Sequence, residues 1–309
     1  MIKTSNLTKS YGAFEALRGI SLQVNEGDIY GFIGPNGAGK TTTIKILTTL
    51  LEPSAGDAYV DGKSVWDQRD SIRGLIGYMP DAFGVYPDMT VTEYLHFFAA
   101  AYGIARNERQ RLVDGLLELT DLSYKEDALV DSLSKGMQQR LGLARALVHD
   151  PKVLILDEPA AGLDPRARVE LREILRELQS MGKTILLSSH ILSELQDICN
   201  RVGIIERGVL VAQGSVAEIL DKLSSSGRIM LRTDDDERAL EVLSDHPLVS
   251  RAGRDDAENA LWVTMSEGKS DIAVLSVALA EEGVGLRFLV RDRVSLEEAF
   301  MQLTEGLVQ

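Results

Sequence analysis

The stretch GPNGAGKT, residues 34–41, decides how the rest of the chain is read. It fits G-x-x-x-x-G-K-[ST], in which glycines let successive backbone N–H groups converge on an anion, a lysine reaches terminal phosphates, and a hydroxyl holds magnesium. The flanks supply the context that this chemistry needs. Residues 28–33 (DIYGFI) read as a short buried strand, and residues 42–47 (TTIKIL) open a helix with apolar positions at helical spacing. A helix N-terminus placed there offers unpaired N–H groups and positive dipole to phosphates.

The chain has 309 residues, enough for one large or two smaller domains, and its 44% hydrophobic and 26% charged composition is that of a globular protein. A net charge of -14 argues against broad binding to nucleic acid or anionic lipid, and no nucleic-acid partner is expected. A local pocket for one nucleotide remains compatible with that total. Cys199 is the only cysteine, which excludes an internal disulfide and fits a reducing compartment. It falls in a run that reads as an amphipathic helix, as a core thiol rather than a nucleophile. The first residues, MIKTSN, lack the apolar core of a signal peptide, and no run of about 18 apolar residues occurs, so any membrane role is expected through a partner.

Upstream of the loop, residues 1–33 alternate around Leu17, Ile20, Leu22 and Val24 and turn at residues 25–28, as strands joined by a tight turn do. Tyr11 sits in a polar turn, where it reads as a surface aromatic or as a flat platform for a base. Residues 56–62 read as a strand between glycines, and residues 72–78 as another that ends at Met79, Pro80 and Asp81. From Thr90 to about residue 121 the spacing turns helical, through Val91, Tyr94, Leu95, Phe98, Leu112, Leu116 and Leu119. His96 lies in this stretch with no neighbour at ligand spacing and reads as a surface or packing histidine.

Ser134 precedes a helix with Leu141, Ala144, Leu147 and Val148 inward. It reads either as an N-cap, worth about 1 kcal/mol, or as a helix terminus facing a phosphate. Local sequence does not choose. Residues 153–156 (VLIL) read as a strand buried on both faces, the mark of a parallel sheet. Asp157 and Glu158 follow it, two adjacent carboxylates that need a cation and water. With a phosphate loop upstream, Asp157 suits magnesium, and Glu158 suits orienting and deprotonating an attacking water. Residues 184–190 (TILLSSH) deliver His190 at the end of another such strand, where ligands of parallel sheets sit.

The order of these pieces closely resembles the nucleotide-binding subunit of ATP-binding cassette (ABC) transporters, over roughly residues 2–220. Gly34, Pro35, Asn36, Gly37, Ala38, Gly39, Lys40 and Thr41 match that family's Walker A loop. Leu133, Ser134, Lys135, Gly136 and Met137 match its signature, residues 154–158 its Walker B strand, residues 161–164 its D-loop, and His190 its switch histidine. Walker A alone admits many NTPases; a signature 21 residues before the Walker B pair is far more specific.

The resemblance implies an α/β fold with a P-loop NTPase (RecA-like) core, antiparallel β and helical subdomains, the helical one at about residues 84–150. It implies Mg-ATP hydrolysis by in-line attack of water on the γ-phosphate. Lys40 and the loop amides, with Thr42, would hold phosphates; Thr41 and Asp157 would hold magnesium, Glu158 the water, His190 the γ-phosphate, and Tyr11 the adenine. Two chains, identical or similar, would pack head to tail, so that Ser134, Lys135, Gly136, Met137 and Gln138 of one complete the site on the other, with Asp164 in the D-loop. The remaining partner would be an integral membrane permease, with the chain peripheral on the cytoplasmic face. Two positions depart from the family. Lys135 stands where glycine is usual, its side chain expected to point away from the nucleotide. Asp81 stands where the family has a magnesium-contacting glutamine; as a hard oxygen donor it still suits the metal, but its charge would slow hydrolysis or loosen ATP binding.

Residues 223–227 (LSSSG) read as a polar linker, dividing the chain into a nucleotide-binding domain at 1–222 and an accessory or regulatory domain at 223–309. Beyond it, strands are expected at 229–232, 249–251, 260–265 and 286–290, and helices at 237–243, 271–282 and 296–303. This βαββαβ order with a final helix predicts a small α+β, ferredoxin-like sandwich. Residues 221–309 carry a net charge of -8 against -6 for residues 1–220. The ending VSLEEAF, residues 294–300, resembles a C-terminal extension on ATPase subunits of exporters for drugs, polysaccharides or lipids, which implies export and a dimerising or regulatory module. The competing readings are a soluble ABC-type ATPase of translation or DNA repair, and a regulatory ATP-binding module in which Asp81 weakens hydrolysis. A single cassette, one cysteine and excess acid speak against the former.

Overall fold

The computed structural model describes residues 1–82, 84, 86, 88–191, 195, 198–223, 228–255, 260–265 and 272–291. Its packing divides the chain into two compact units, one holding Met1–Val216 and the other beginning at Ala217.

The first unit opens with β1 (Ile2–Tyr11), β2 (Phe14–Ile20), β3 (Gln23–Val24), β4 (Ile29–Ile33), α1 (Lys40–Leu47), β5 (Ala55–Val60) and β6 (Lys63–Ser64). It continues through α2 (Arg69–Arg73), β7 (Ile76–Met79), α3 (Val91–Ala101), α4 (Arg106–Leu119) and α5 (Lys135–Leu147). Last come β8 (Val153–Leu156), α6 (Pro165–Ser180), β9 (Thr184–Ser189), β10 (Arg201–Glu206) and β11 (Val209–Ser215).

Six strands form one sheet in the order β11-β10-β4-β9-β8-β7, parallel from β10 to β7 with β11 antiparallel at the edge. Every residue of β4, β8 and β9 is buried, as the continuous aliphatic runs require of a sheet covered on both faces. A five-stranded antiparallel sheet, β2-β1-β5-β6 with β3 on β1, packs beside it. One apolar cluster joins the two sheets: Leu7, Leu17 and Val60 from the antiparallel sheet, Ile44, Ile46 and Leu47 from α1, and Phe32, Ile155 and Leu186 from the parallel one. The helix that follows the glycine loop is therefore fixed by apolar packing on both sides, so the loop is held by rigid elements.

Between β7 and β8 the chain is helical. Thr90 starts α3 with a capping box, its hydroxyl accepting from Glu93 N at 3.2 Å while its own N–H donates to Glu93 Oε2 at 2.9 Å. Arg140 of α5, 6% exposed, donates to Asp121 Oδ2 at 2.9 Å and pairs with Glu170 of α6 at 3.7 Å, tying the helix that begins at Ser134 to its neighbours.

Three sequence expectations need correction. Ile72 belongs to α2, not to a strand; the helix ends at Gly74 and β7 starts only at Ile76, a division that a short apolar run cannot reveal. Cys199 lies outside any helix, although it is buried as expected, with burial pushing its thiol pKa up; its sulfur fills the space left by the missing side chain of Gly31. Tyr11 is the last residue of β1, paired with Phe14, rather than a turn residue.

The second unit contains β12 (Arg228–Thr233), β13 (Val249–Asp255), β14 (Ala260–Met265) and β15 (Leu286–Arg291), with helices Asp236–Asp245 and Ala273–Glu281 between them; the helix Val216–Leu223 precedes β12 in the chain. The sheet order is β13-β14-β12-β15, antiparallel throughout, which closes the βαββαβ sequence order into a single layer. Ile229, Leu231, Leu243, Leu261, Val263, Leu275 and Leu279 form its core. The linker residues 224–227 and the helix expected at 296–303 lie outside the described residues.

Candidate nucleotide site

The glycine loop turns between β4 and α1. A side chain at Gly34 would collide with the backbone oxygen of Ile205 on β10, and at Gly39, with φ +110°, a Cβ would stand only 2.6 Å from Leu17 Cδ2. Only glycine fits either position. Because Gly39 offers no side-chain cap, the first-turn N–H groups of α1 remain available to an anion.

Lys40 is 5% exposed and folds along the loop, donating to Gly34 O at 2.7 Å and Pro35 O at 3.3 Å. Its Nζ also pairs with Glu158 Oε1 at 3.3 Å, and Glu158 Oε2 lies 2.8 Å from His190 Nδ1. Glu158 thus bridges the lysine of one strand–helix junction and the histidine at the end of β9. Its backbone is in the left-handed region, φ 52°, which costs a non-glycine residue about 1–2 kcal/mol. Asp157, 2% exposed, accepts the Ser188 hydroxyl at 2.6 Å. Beside it, burial first and the Asp157 charge second push the Tyr78 phenol up to about 12, so that it stays neutral.

A cavity of about 440 Å³ opens here. Tyr11, Asn36, Gly37, Gly39, Lys40, Thr41, Thr42, Asp81, Glu158 and His190 line it, so the dispersed sequence candidates converge on one hollow. Asp157 is not among the lining residues. Ser134, Lys135, Gly136, Met137, Gln138 and Asp164 do not line it within one chain. Ser134 accepts from Met137 N at 3.3 Å and Asp164 from Ala167 N at 2.9 Å, each as a helix cap. The Lys135 side chain crosses the place where a Gly162 side chain would stand, which Gly162, at φ +69°, leaves open.

Sequence reasoning missed Phe14 and Ala16 on the cavity wall, and it named Ala161, also on the wall, only as part of the D-loop. Phe14 is 61% exposed and faces Tyr11 across the turn between β1 and β2, so two aromatic surfaces flank the hollow. The sequence shows only a second aromatic three residues after Tyr11; its exposure and its place on the wall come from the fold. Among the described residues no three His, Cys, Asp or Glu side chains form a metal cluster. Thr41, Asp81 and Glu158 line the cavity and Asp157 directly precedes Glu158 in the chain; hydroxyl and carboxylate oxygens of this kind suit a hard cation that keeps waters and phosphates as its other ligands.

The ABC transporter family model matches residues 17–161. A Nod factor export ATP-binding protein I of Burkholderia thailandensis is 37% identical over 303 residues, covering 98% of this chain and 96% of the relative. Among solved structures, an ATP-binding subunit of an ABC transporter superposes with TM-score 0.65 at 32% identity, over 72% of this chain and 93% of that one. A dimeric post-hydrolysis ATP-binding cassette bound to ADP and phosphate gives TM-score 0.63 at 25% identity, over 70% and 99%. With near-complete coverage of a relative by a chain that builds the P-loop NTPase fold, this chain belongs to the ABC transporter family as an ATP-binding, ATP-hydrolysing subunit.

Proposed function

We propose that this subunit drives export through a separate membrane permease on the cytoplasmic face, hydrolysing Mg-ATP at two sites that each require two chains. The observation that carries the reading is the Lys40–Glu158–His190 chain at the wall of the loop cavity, while the signature residues of the same chain stand away from it. A site with base and lysine but no Ser134 is half of a composite, and a head-to-tail second chain completes it. Export is supported by the word in the relative's name and by its match along nearly the whole chain.

In this mechanism Lys40 and the α1 amides bind the β and γ phosphates. Tyr11 stacks on the adenine, with Phe14 beside it. Glu158, fixed between a cation and an imidazole, orients the attacking water and accepts its proton, and His190 contacts the γ-phosphate. Thr41, Asp157 and Asp81 would hold magnesium, which when bound would neutralise charge developing on the phosphates. Ser134 and Gly136 of the other chain close the site. The acidic second unit, of ferredoxin-like connectivity, is proposed as a dimerising or regulatory module.

The test is Ser134→Arg. It is expected to leave nucleotide binding to the isolated chain intact and to abolish steady-state turnover; full turnover would overturn the composite site. Truncation after Leu223 should change dimerisation, ATPase rate or the response to permease, and no change in any of the three would remove the role of the second unit.

A further inference from the structure

We propose that Ser188 is a positioning residue for hydrolysis, setting the geometry of Asp157 and Glu158 with one hydroxyl. The inference rests on the roles given above to these two carboxylates. β9 runs parallel to β8, with Leu187 opposite Leu156, so Ser188 arrives level with the point where β8 ends and the carboxylate pair begins. Its side chain is fully buried. Glu158 N–H donates to Ser188 Oγ at 2.9 Å, and Ser188 Oγ donates to Asp157 Oδ1 at 2.6 Å.

The direction of both bonds follows from their chemistry. An amide N–H only donates, so Oγ must accept from Glu158, and a hydroxyl carries one proton, which goes to the carboxylate. The 2.6 Å separation is that of a charge-assisted O–H···O⁻ bond. Two consequences follow. Asp157 is held through Oδ1, and its Oδ2 takes no hydrogen bond from the described residues, so one oxygen is left for a cation. Glu158 is held in its left-handed conformation, φ 52°, by its own N–H on Ser188 and by its C=O, which accepts from Ala161 N at 3.1 Å. That conformation aims the Glu158 side chain between Lys40 and His190. Neighbouring Ser189 does something else: its hydroxyl engages Ile191 and its C=O accepts from Gly34 N.

The experiment compares Ser188→Ala and Ser188→Thr with the wild-type full chain. Alanine should lower kcat 10- to 100-fold, of the order seen when preorganised groups are loosened, with KM for ATP within about threefold. Threonine, which keeps the hydroxyl, should recover most of the rate. Two readouts do not depend on turnover. Mn²⁺ binding in the presence of ADP, followed by electron paramagnetic resonance, should weaken several-fold in Ser188→Ala, and the Glu158 amide should exchange faster with deuterium. If alanine does not fold, Ser188→Cys, which keeps the shape and weakens both bonds, is read the same way. Wild-type kcat with wild-type Mn²⁺ affinity in a folded variant would overturn the proposal. So would a kcat loss accounted for by the unfolded fraction alone. A dead Glu158→Gln beside a normal Ser188→Ala removes only this inference, whereas a fully active Glu158→Gln removes the reading on which it rests.

Discussion

Glu158→Gln separates binding from turnover, and its size can be worked from the contacts around the side chain. Glutamine keeps the shape of glutamate but has no basic oxygen for a water proton. Loss of a general base costs about 10²- to 10⁴-fold in rate, or about 3 to 5 kcal/mol of barrier. Binding should hardly suffer, because Lys40 keeps two other acceptors, Gly34 O at 2.7 Å and Pro35 O at 3.3 Å. The amide also has an arrangement that satisfies both neighbours: its oxygen toward Lys40 and its NH₂ toward His190 Nδ1, with the imidazole proton on Nε2. Removing one negative charge from beside the phosphates favours nucleotide slightly. We therefore expect phosphate release at saturating Mg-ATP to fall at least about 100-fold. Affinity for a fluorescent ATP analogue should stay within about threefold, and an ATP-bound dimer should accumulate in size-exclusion chromatography. Steady-state turnover within threefold of wild type would refute Glu158 as the base.

Other perturbations probe neighbouring links. Asp81 lines the cavity, and Asp81→Gln should preserve or raise ATPase activity; if it and Asp81→Ala both left ATPase and magnesium titrations unchanged, the position would have no metal role. Gly39→Ala should abolish nucleotide binding, since the new Cβ would sit 2.6 Å from Leu17 Cδ2 and 2.9 Å from Ala16 O at φ +110°; normal binding by calorimetry would contradict the loop geometry. Arg140→Ala should lower stability by about 1–3 kcal/mol in urea unfolding, because a buried guanidinium bonded to Asp121 is lost; an unchanged midpoint would show the tie to be idle. His149 stacks on Tyr102 at 4.1 Å and donates from Nε2 to Ile76 O at 3.0 Å, and burial holds its pKa below the usual histidine value. Its contribution to stability is therefore present above the unfolded pKa of about 6.5 and lost as pH falls through the lower folded value. His149→Gln should flatten the decline in unfolding free energy between pH 7 and pH 5, and an identical decline in both proteins would count against it.

Strand and helix types were largely legible where pattern is strong. The four aliphatics of β8 and the aliphatic run of β9 read as doubly buried strands, and the helical spacing that begins at Thr90 marked the start of α3, where the structure adds a reciprocal cap with Glu93. Ile72 was misread because a short apolar stretch satisfies helix and strand alike until Gly74 ends it. Cys199 was misread because apolar spacing reports burial, not backbone conformation, and its burial held. Phe14 was passed over because a lone exposed aromatic has no meaning in sequence until a cavity stands next to it.

Residues 34–41 by themselves determined a loop able to receive phosphate, because its glycines, lysine and hydroxyl act within one turn of chain and need no distant partner. The order of the later motifs likewise carried the family resemblance. What only tertiary structure decided is how groups far apart in sequence meet. The parallel register of β4, β9 and β8 brings Lys40, Glu158, His190 and Ser188 within hydrogen-bonding reach. That register is set by burying aliphatic faces on both sides of the sheet, a constraint spread over the whole first unit that no local stretch can express.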